Sequence, residues 1–497
     1  IVWATIVMTK AVMVLCGMEL SMVSTMLNSL VTIIAIATVM HLTLYYRELR
    51  RTHERREAFR QTLLDMSPPI FWTTATTIAG FASLITSHVI PVKSFGWTMS
   101  LGTAIVLVTL TIFLPGGALL GNRLIDPYIP REEQQLDRLL RWSIRQVERH
   151  RHLLFWLISI IVFVFSIGVY RLDVETDFSR NFRESTPLVQ GLEFVESRMG
   201  GTSTWEVNFP APNPLTPEFL DGVRDFAADL RTIKVDGEPG LTKVICLPDT
   251  LDMIPVRNPF GDKLTQKMNE LQNFQPEVIP SLYNAKAGKM RILLRSKERQ
   301  PTEPKRYLLE EVNKRSAAVF TEYKVTGIFV IFTFLIESLL GDQIVSFGIS
   351  ASAIVIMMMI AFRSIRIGLI SLIPNAFPII LLMGGLGWIG SPINMGTAMI
   401  ASVSMGLTVD SSIHYLTGYF RARKSGLSIA EALEQTQHSV GEALLFATFA
   451  LIAGFSALTL SQFIPMVYFG LLVSLAMLGG LLGNLVLLPI LIRALKI

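Results

Sequence analysis

The sequence predicts a polytopic α-helical membrane protein built from two related helical bundles, with one extramembrane α+β domain of ferredoxin-like design. Three observations predict it. The stretch 78–115 matches 452–489 without a gap. Hydrophobic residues make up 51% of the 497 residues and charged residues only 17%, where ordinary soluble domains carry about 25% charged. One soluble stretch, 172–336, interrupts the apolar runs.

The repeat is read position by position. Ile78, Ala79, Gly80 and Phe81 align with Ile452, Ala453, Gly454 and Phe455. Further on, Leu84 aligns with Leu458, Ser87 with Ser461, Ile90 and Pro91 with Ile464 and Pro465, Phe95 and Gly96 with Phe469 and Gly470, and Pro115 with Pro489. Phe455 lies 374 positions after Phe81. Self-similarity at a fixed offset between two apolar blocks is the mark of a duplicated transporter, whose pathway lies where the two bundles meet. A mean hydropathy of +0.48 fits a chain whose main solvent is the bilayer. The chain opens at Ile1 inside an apolar helix pattern, with no initiator Met and no charged leader, and so reads as part of a longer protein. Cys16 and Cys246 lie in different settings and imply no disulfide framework.

Apolar runs able to cross roughly 30 Å of hydrocarbon fall at 20–46, 68–88, 94–121, 152–171, 343–362, 367–389, 396–420, 440–461 and 466–492, and 1–18 resembles the remainder of another. Lys and Arg are retained on the cytoplasmic side. Arg47, Arg50, Arg51, Arg55, Arg56 and Arg60 fill one loop, 123–151 a second, and Arg363, Arg366, Arg421, Arg423, Lys424, Arg493 and Lys496 the rest, while the loops near 390–395 and 462–465 carry none. This orientation divides the chain into a C-terminal part of the first bundle (1–121), a cytoplasmic linker with an amphipathic helix (122–150), the first helix of the second bundle (151–171), an outer domain (172–336) and five remaining helices (337–497). In a bacterium the outer domain would lie in the periplasm or at the exterior and the bundles in the inner membrane.

Within the outer domain, alternation marks strands at 205–209, 243–247, 290–294 and 323–325, and a period of 3.6 marks helices at 217–233, opened by Thr216 as N-cap, and at 304–320. Two β-α-β units of this kind suit a ferredoxin-like sandwich. The stretch 255–283 reads as a loop or short helices covering it.

Polar residues inside apolar helices are the candidates for function. Asp410 sits mid-helix, four residues after Gly406 and four before His414, so all three share a face. A carboxylate at that depth costs about 2.5–3.5 kcal/mol, which is why such groups face the bundle interior and serve ion or proton movement. The bland alternative is a structural carboxyl hydrogen-bonded to Thr408, Ser411 or Ser412, with Gly406 an ordinary packing residue. His414 aligns with His41 at an offset of 373, which places Ala37 opposite Asp410 in the repeat. Adjacent central helices would bring Thr38 and His41 to Asp410 and His414, giving a proton path in which imidazoles, titrating near neutrality, link the acid to cytoplasmic water. Lys10 and Glu19 also lie in or beside an apolar stretch, where a lysine can snorkel to the interface. The basic amphipathic stretches 46–65 and 422–438 read as helices lying on the cytoplasmic surface.

These residues resemble the resistance-nodulation-division (RND) superfamily and, within it, the MMPL-like or hopanoid-type lipid exporters. The motifs are the Gly406-x-x-x-Asp410 helix, Val174-Glu175-Thr176-Asp177-Phe178 followed by Gly200-Gly201-Thr202, and the Ala-Gly-Phe helices at Gly80 and Gly454. The resemblance implies two six-helix bundles, the first one truncated here, and efflux of a hydrophobic or lipid-like substrate driven by protons. It implies a proton-relay role for the Gly406-x-x-x-Asp410 element, and with the residue reading above the expected relay is Asp410, His414, His41, Thr408, Ser411 and Thr38, with Gly406 and Ala37 in helix packing beside it. Many relatives carry a second acid where this chain has Ala37, so coupling would run through one acid. Relatives resembling Patched and Niemann-Pick type C proteins share the architecture but are energised differently, which leaves sodium open beside the proton.

The expected partners are membrane lipids, the substrate, protons and, left open, further copies of the chain. A lipid- or sterol-sensing or protein-export role is the alternative. With no phosphate-binding loop, no metal-spaced His or Cys cluster and no nucleophile triad in the soluble stretch, neither an enzyme nor a cofactor or resident metal is expected. The pI near 9.1 is explained by cytoplasmic loops, so nucleic acid is not expected either.

Overall fold

The computed structural model describes residues 1–18, 26–50, 52–119, 131–175, 177–255 and 262–496. Glu19, Arg51, Arg123, Thr176, the start of the first expected span and the end of the third lie outside these residues. Two compact units result, Ile1–Asp173 with Ser338–Ile497 and, between them in the chain, Val174–Glu337.

The first unit opens with α1 (Val2–Leu15), α2 (Leu27–Leu49), α3 (Arg55–Ala82), α4 (Ile90–Leu119), α5 (Arg131–Arg149) and α6 (Arg151–Val169). In α1, Thr9 bonds back to the carbonyl of Thr5 (2.7 Å), and the Thr5 hydroxyl meets that of Thr109 on α4 at 2.6 Å, all buried. Lys10 lies on the exposed face of the same helix. Helix α3 is continuous for 28 residues and runs through Pro68 and Pro69, so the stretch 46–65 does not form the separate surface helix expected. Its second-copy counterpart does form one, because Gly441 breaks the ladder where the first copy has Ser67.

The second unit carries α7 (Pro187–Arg198), β1 (Ser203–Pro210), α8 (Pro217–Arg231), β2 (Lys243–Ile245), α9 (Leu247–Asp252), α10 (Lys263–Phe274), α11 (Val278–Leu282), β3 (Lys289–Ser296), α12 (Thr302–Val319) and β4 (Lys324–Gly327). The main strands lie in the order β2-β3-β1-β4, each antiparallel to its neighbour, with Val207 opposite Ile292 and Val325. That is the order of the split β-α-β design. Thr216 caps α8 by accepting from the Phe219 amide (3.3 Å), and Val223, Phe226 and Leu230 of α8 pack with Leu308 and Val312 of α12 on Val207, Ile292 and Leu294. Cys246 is buried in this core, which pushes its thiol up to about 12, while Cys16 is exposed. In the stretch 255–283, left open between helix and loop, the described residues form α10 and α11.

The chain continues with α13 (Ile328–Phe362), α14 (Ile365–Ile389), α15 (Met395–Ala398), α16 (Ile400–Lys424), α17 (Ile429–Ser439), α18 (Gly441–Ser456), α19 (Ile464–Leu482), a π turn at Gly483–Leu487 and α20 (Leu488–Ala494). Among the described residues seven helical stretches are long and apolar enough to span a bilayer, namely α2, α4, α6, α13, α14, α18 and α19 with their extensions. Helices α3 and α16 fall short of that apolarity because they carry buried Thr73, Thr74, Thr76 and Thr77, and Ser402, Ser404, Thr408, Ser412 and His414. Polar side chains of this kind are tolerated only away from lipid, and α3 and α16 accordingly pack on each other within the unit. Helix α5 buries Leu140, Ile144 and Val147, and the Ser143 hydroxyl accepts from Gln437 of α17 (3.3 Å).

Candidate functional site

Asp410 projects from α16 towards His41 of α2. His41 Nε2 stands 3.4 Å from Asp410 Oδ2 and His414 Nε2 3.5 Å from Asp410 Oδ1. The imidazoles stack with centroids 4.3 Å apart and planes 15° from parallel. Both histidine side chains are nearly fully buried, at 4% and 6% exposure, while the carboxylate keeps 22%. The i, i+4 spacing on α16 supplies one histidine and the repeat supplies the other, so one acid is held between two rings from two copies. An open cavity runs from His41 and His414 to Tyr45, Arg47, Arg421, His438 and Glu442 at the basic helix ends. At its mouth Arg421 donates to the Tyr45 hydroxyl (2.6 Å), which donates to Asp65 (2.7 Å), and Arg47 reaches Glu442 (3.4 Å).

Gly406 does not rest on α2, the helix expected beside it. A Cβ on Gly406 would stand 3.1 Å from Gly80 Cα of α3, and one on Gly80 would stand 2.9 Å from Gly406 Cα. The backbones therefore touch, and the Thr77 hydroxyl donates to the Gly406 carbonyl across the seam (3.2 Å). The repeat places Ile33 opposite Gly406 and Gly454 opposite Gly80, and these two also meet: a Cβ on Gly454 would stand 2.5 Å from Ile33 Cγ1. Ala37 is buried on α2 one turn beyond Ile33.

On the other side of α16, Ser412 accepts from Asn375 Nδ2 of α14 (2.8 Å) and donates to Asn484 Oδ1 (2.5 Å), all three fully buried. Asn484 is the second residue of the π turn, in which the Leu488 amide bonds back five residues to Gly483, and its Nδ2 donates to the Gly480 carbonyl (2.8 Å). A Cβ on Gly480 would stand 2.6 Å from Thr408 Cγ2, so Thr408 faces α19. A second acid of the unit, Asp342 of α13, accepts from the Ser87 hydroxyl (2.7 Å), the His88 amide (2.8 Å) and His88 Nδ1 (2.8 Å).

Of the residues expected at the relay, the structure brings together Asp410, His414 and His41. Thr408 bonds back to Met405 (3.4 Å) and Thr38 to Ile34 (2.9 Å), and neither these nor Ser411 makes a hydrogen bond to the acid among the described residues. Helical geometry explains Thr408, since two residues turn it about 200° from Asp410. Sequence reasoning missed Asn375, Asn484 and Asp342. Each is a polar residue in or at the edge of an apolar run, the same signal that singled out Asp410.

Compared with known proteins, residues 1–152 and 263–495 match the model of the MMPL family. A membrane protein of Methanocaldococcus jannaschii is 23% identical over 384 residues, which cover 71% of this chain and 94% of that protein. Among solved structures the fold resembles that of the hedgehog release protein Disp from the water bear Hypsibius dujardini. The TM-score is 0.64 at 14% identity over 95% of this chain, which spans 63% of the length of that structure.

Proposed function

The chain belongs to the MMPL family of multi-pass membrane proteins, and from that premise we propose that it is a proton-driven exporter of a hydrophobic or lipid-like substrate and not an enzyme. The observation that carries the reading is the single carboxylate of Asp410, met by the Nε2 atoms of two stacked imidazoles that line a cavity. An acid kept away from lipid at such depth is the usual mark of an ion or proton pathway. Asp410 takes up and releases the proton, and His41 and His414 pass it to water in the cavity, imidazole being the side chain that exchanges protons near neutral pH. A proton drives a conformational change only where two conformations hold it with different affinity. The Ser412 chain to Asn375 and Asn484 supports this, because a shift of α16 at Asp410 would be passed to α14 and α19.

The basic helix ends at Arg47, Arg421 and Arg493 favour an orientation with the cavity mouth in the cytoplasm and the ferredoxin-like unit outside it, in a bacterium in the inner membrane and periplasm. The fold shared with a hedgehog release protein favours a second reading, release of a polypeptide cargo.

Reconstitution of the full-length protein in liposomes with an imposed pH gradient tests the first reading, with lipid and polypeptide analysis of what co-purifies. Transport of a lipid class that follows the gradient in wild type and is lost in Asp410→Asn is the expected result. Gradient-independent transport that survives the substitution would overturn it, and a co-purifying polypeptide would favour the second reading.

A further inference from the structure

We propose that His41, His414 and Asp410 form a binding site for a divalent transition metal ion of the zinc type, and that the ion, entering by the cavity, regulates the protein. The donor set points to that class. Two imidazole nitrogens and one carboxylate oxygen suit zinc and its neighbours, whereas calcium and magnesium require oxygen ligands. The spacing agrees. Donors about 2.1 Å from a tetrahedral ion stand about 3.4 Å from one another, and here His41 Nε2 lies 3.4 Å from one oxygen of the Asp410 carboxylate and His414 Nε2 3.5 Å from the other. These exceed the roughly 2.7–2.9 Å of a charge-assisted hydrogen bond, while one donor atom from each residue lies within 4.8 Å of the others. One donor atom from each of three residues thus gathers in one place, and the cavity that both histidines line leaves room for water as a further ligand.

Binding rests on this geometry alone. Its consequence rests on the proton reading above, because the metal would occupy the same donor atoms as the transferred proton and tie α2 to α16, which stops transport. Calorimetric titration of the purified full-length protein with Zn2+ is expected to show one ion per chain. His41→Gln and His414→Gln should each weaken binding by at least about tenfold, and His438→Gln in the cavity wall should not. In the wild type, Zn2+ should protect His41 and His414 from carbethoxylation, a readout that needs no variant. Absence of saturable binding, or binding and protection that ignore both histidines, would overturn the site. If Zn2+ binds there but leaves gradient-driven transport intact, the site stands and the proton reading falls. If no ion binds while Asp410→Asn abolishes transport, the site falls and the proton reading stands.

Discussion

Two seams related by the internal repeat hold the membrane unit together, and they are built differently. Where α3 meets α16, glycine faces glycine, the two backbones touch, and Thr77 bonds across to the Gly406 carbonyl. Where α18 meets α2, Gly454 receives the side chain of Ile33, and the position equivalent to Thr77 is Leu451. Asp410 stands one turn beyond the first seam and Ala37 one turn beyond the second. Duplication therefore supplied two equivalent contacts, of which one became polar and tied backbone to backbone while the other became an apolar knob in a notch. An acid is best placed beside a seam without compressible side chains, since any slack in the packing would be passed to the distances at its carboxylate.

The comparison can be broken at four points. The largest effect is expected from Asp410→Asn, which removes what the second seam lacks. Gradient-driven transport should fall on the order of 100-fold, the low end of what one positioned proton-transfer group contributes, while thermal unfolding in detergent stays near wild type. Gly406→Ile copies the second seam into the first, where Gly80 offers backbone and no notch. Overpacking of that kind should cost about 3 kcal/mol, read as a lowered unfolding temperature; a wild-type melting curve would mean that the seam yields. The reverse change, Ile33→Ala, opens a void against Gly454. It should cost only about 1–2 kcal/mol, less than the 2–5 kcal/mol of soluble cores, because lipid has already removed the lost methyls from water in the unfolded reference. The smallest effect is expected from Thr77→Val, which deletes the cross-seam hydrogen bond for about 0.6 kcal/mol. The unfolding free energy of the variant against wild type checks that value, and no change would mean that the hydroxyl contributes nothing across the seam.

Much of this was legible in the sequence, for identifiable reasons. A charge in an apolar helix cannot hide, so Asp410 and His414 stood out, and the gapless repeat carried His41 to them. The ferredoxin-like order was legible because its strands alternate and Thr216 marks a helix start. Pairings between helices were not. From the repeat, Gly406 is expected against α2, the helix carrying Ala37; α2 and α16 do meet at His41, Asp410 and His414, but equivalence under a pseudo-twofold does not fix where each helix packs most closely. Each instead packs on the other copy's Ala-Gly-Phe helix. The Asn375–Ser412–Asn484 chain escaped notice because an amide lowers hydropathy less conspicuously than a charge, and its meaning appears only when three helices converge.

The π turn at Gly483–Leu487 carries a consequence for how the copies diverged. Its counterpart, 109–113 within α4, is wound as ordinary α-helix, although no residue was gained or lost between 78–115 and 452–489. A π turn stretches the bonding interval from four residues to five and so rotates everything downstream relative to an uninterrupted helix. The stretches 78–115 and 452–489 match in length and still differ in how the backbone is wound. Divergence here was achieved by rewinding a screw thread, a change that aligning the two copies leaves invisible.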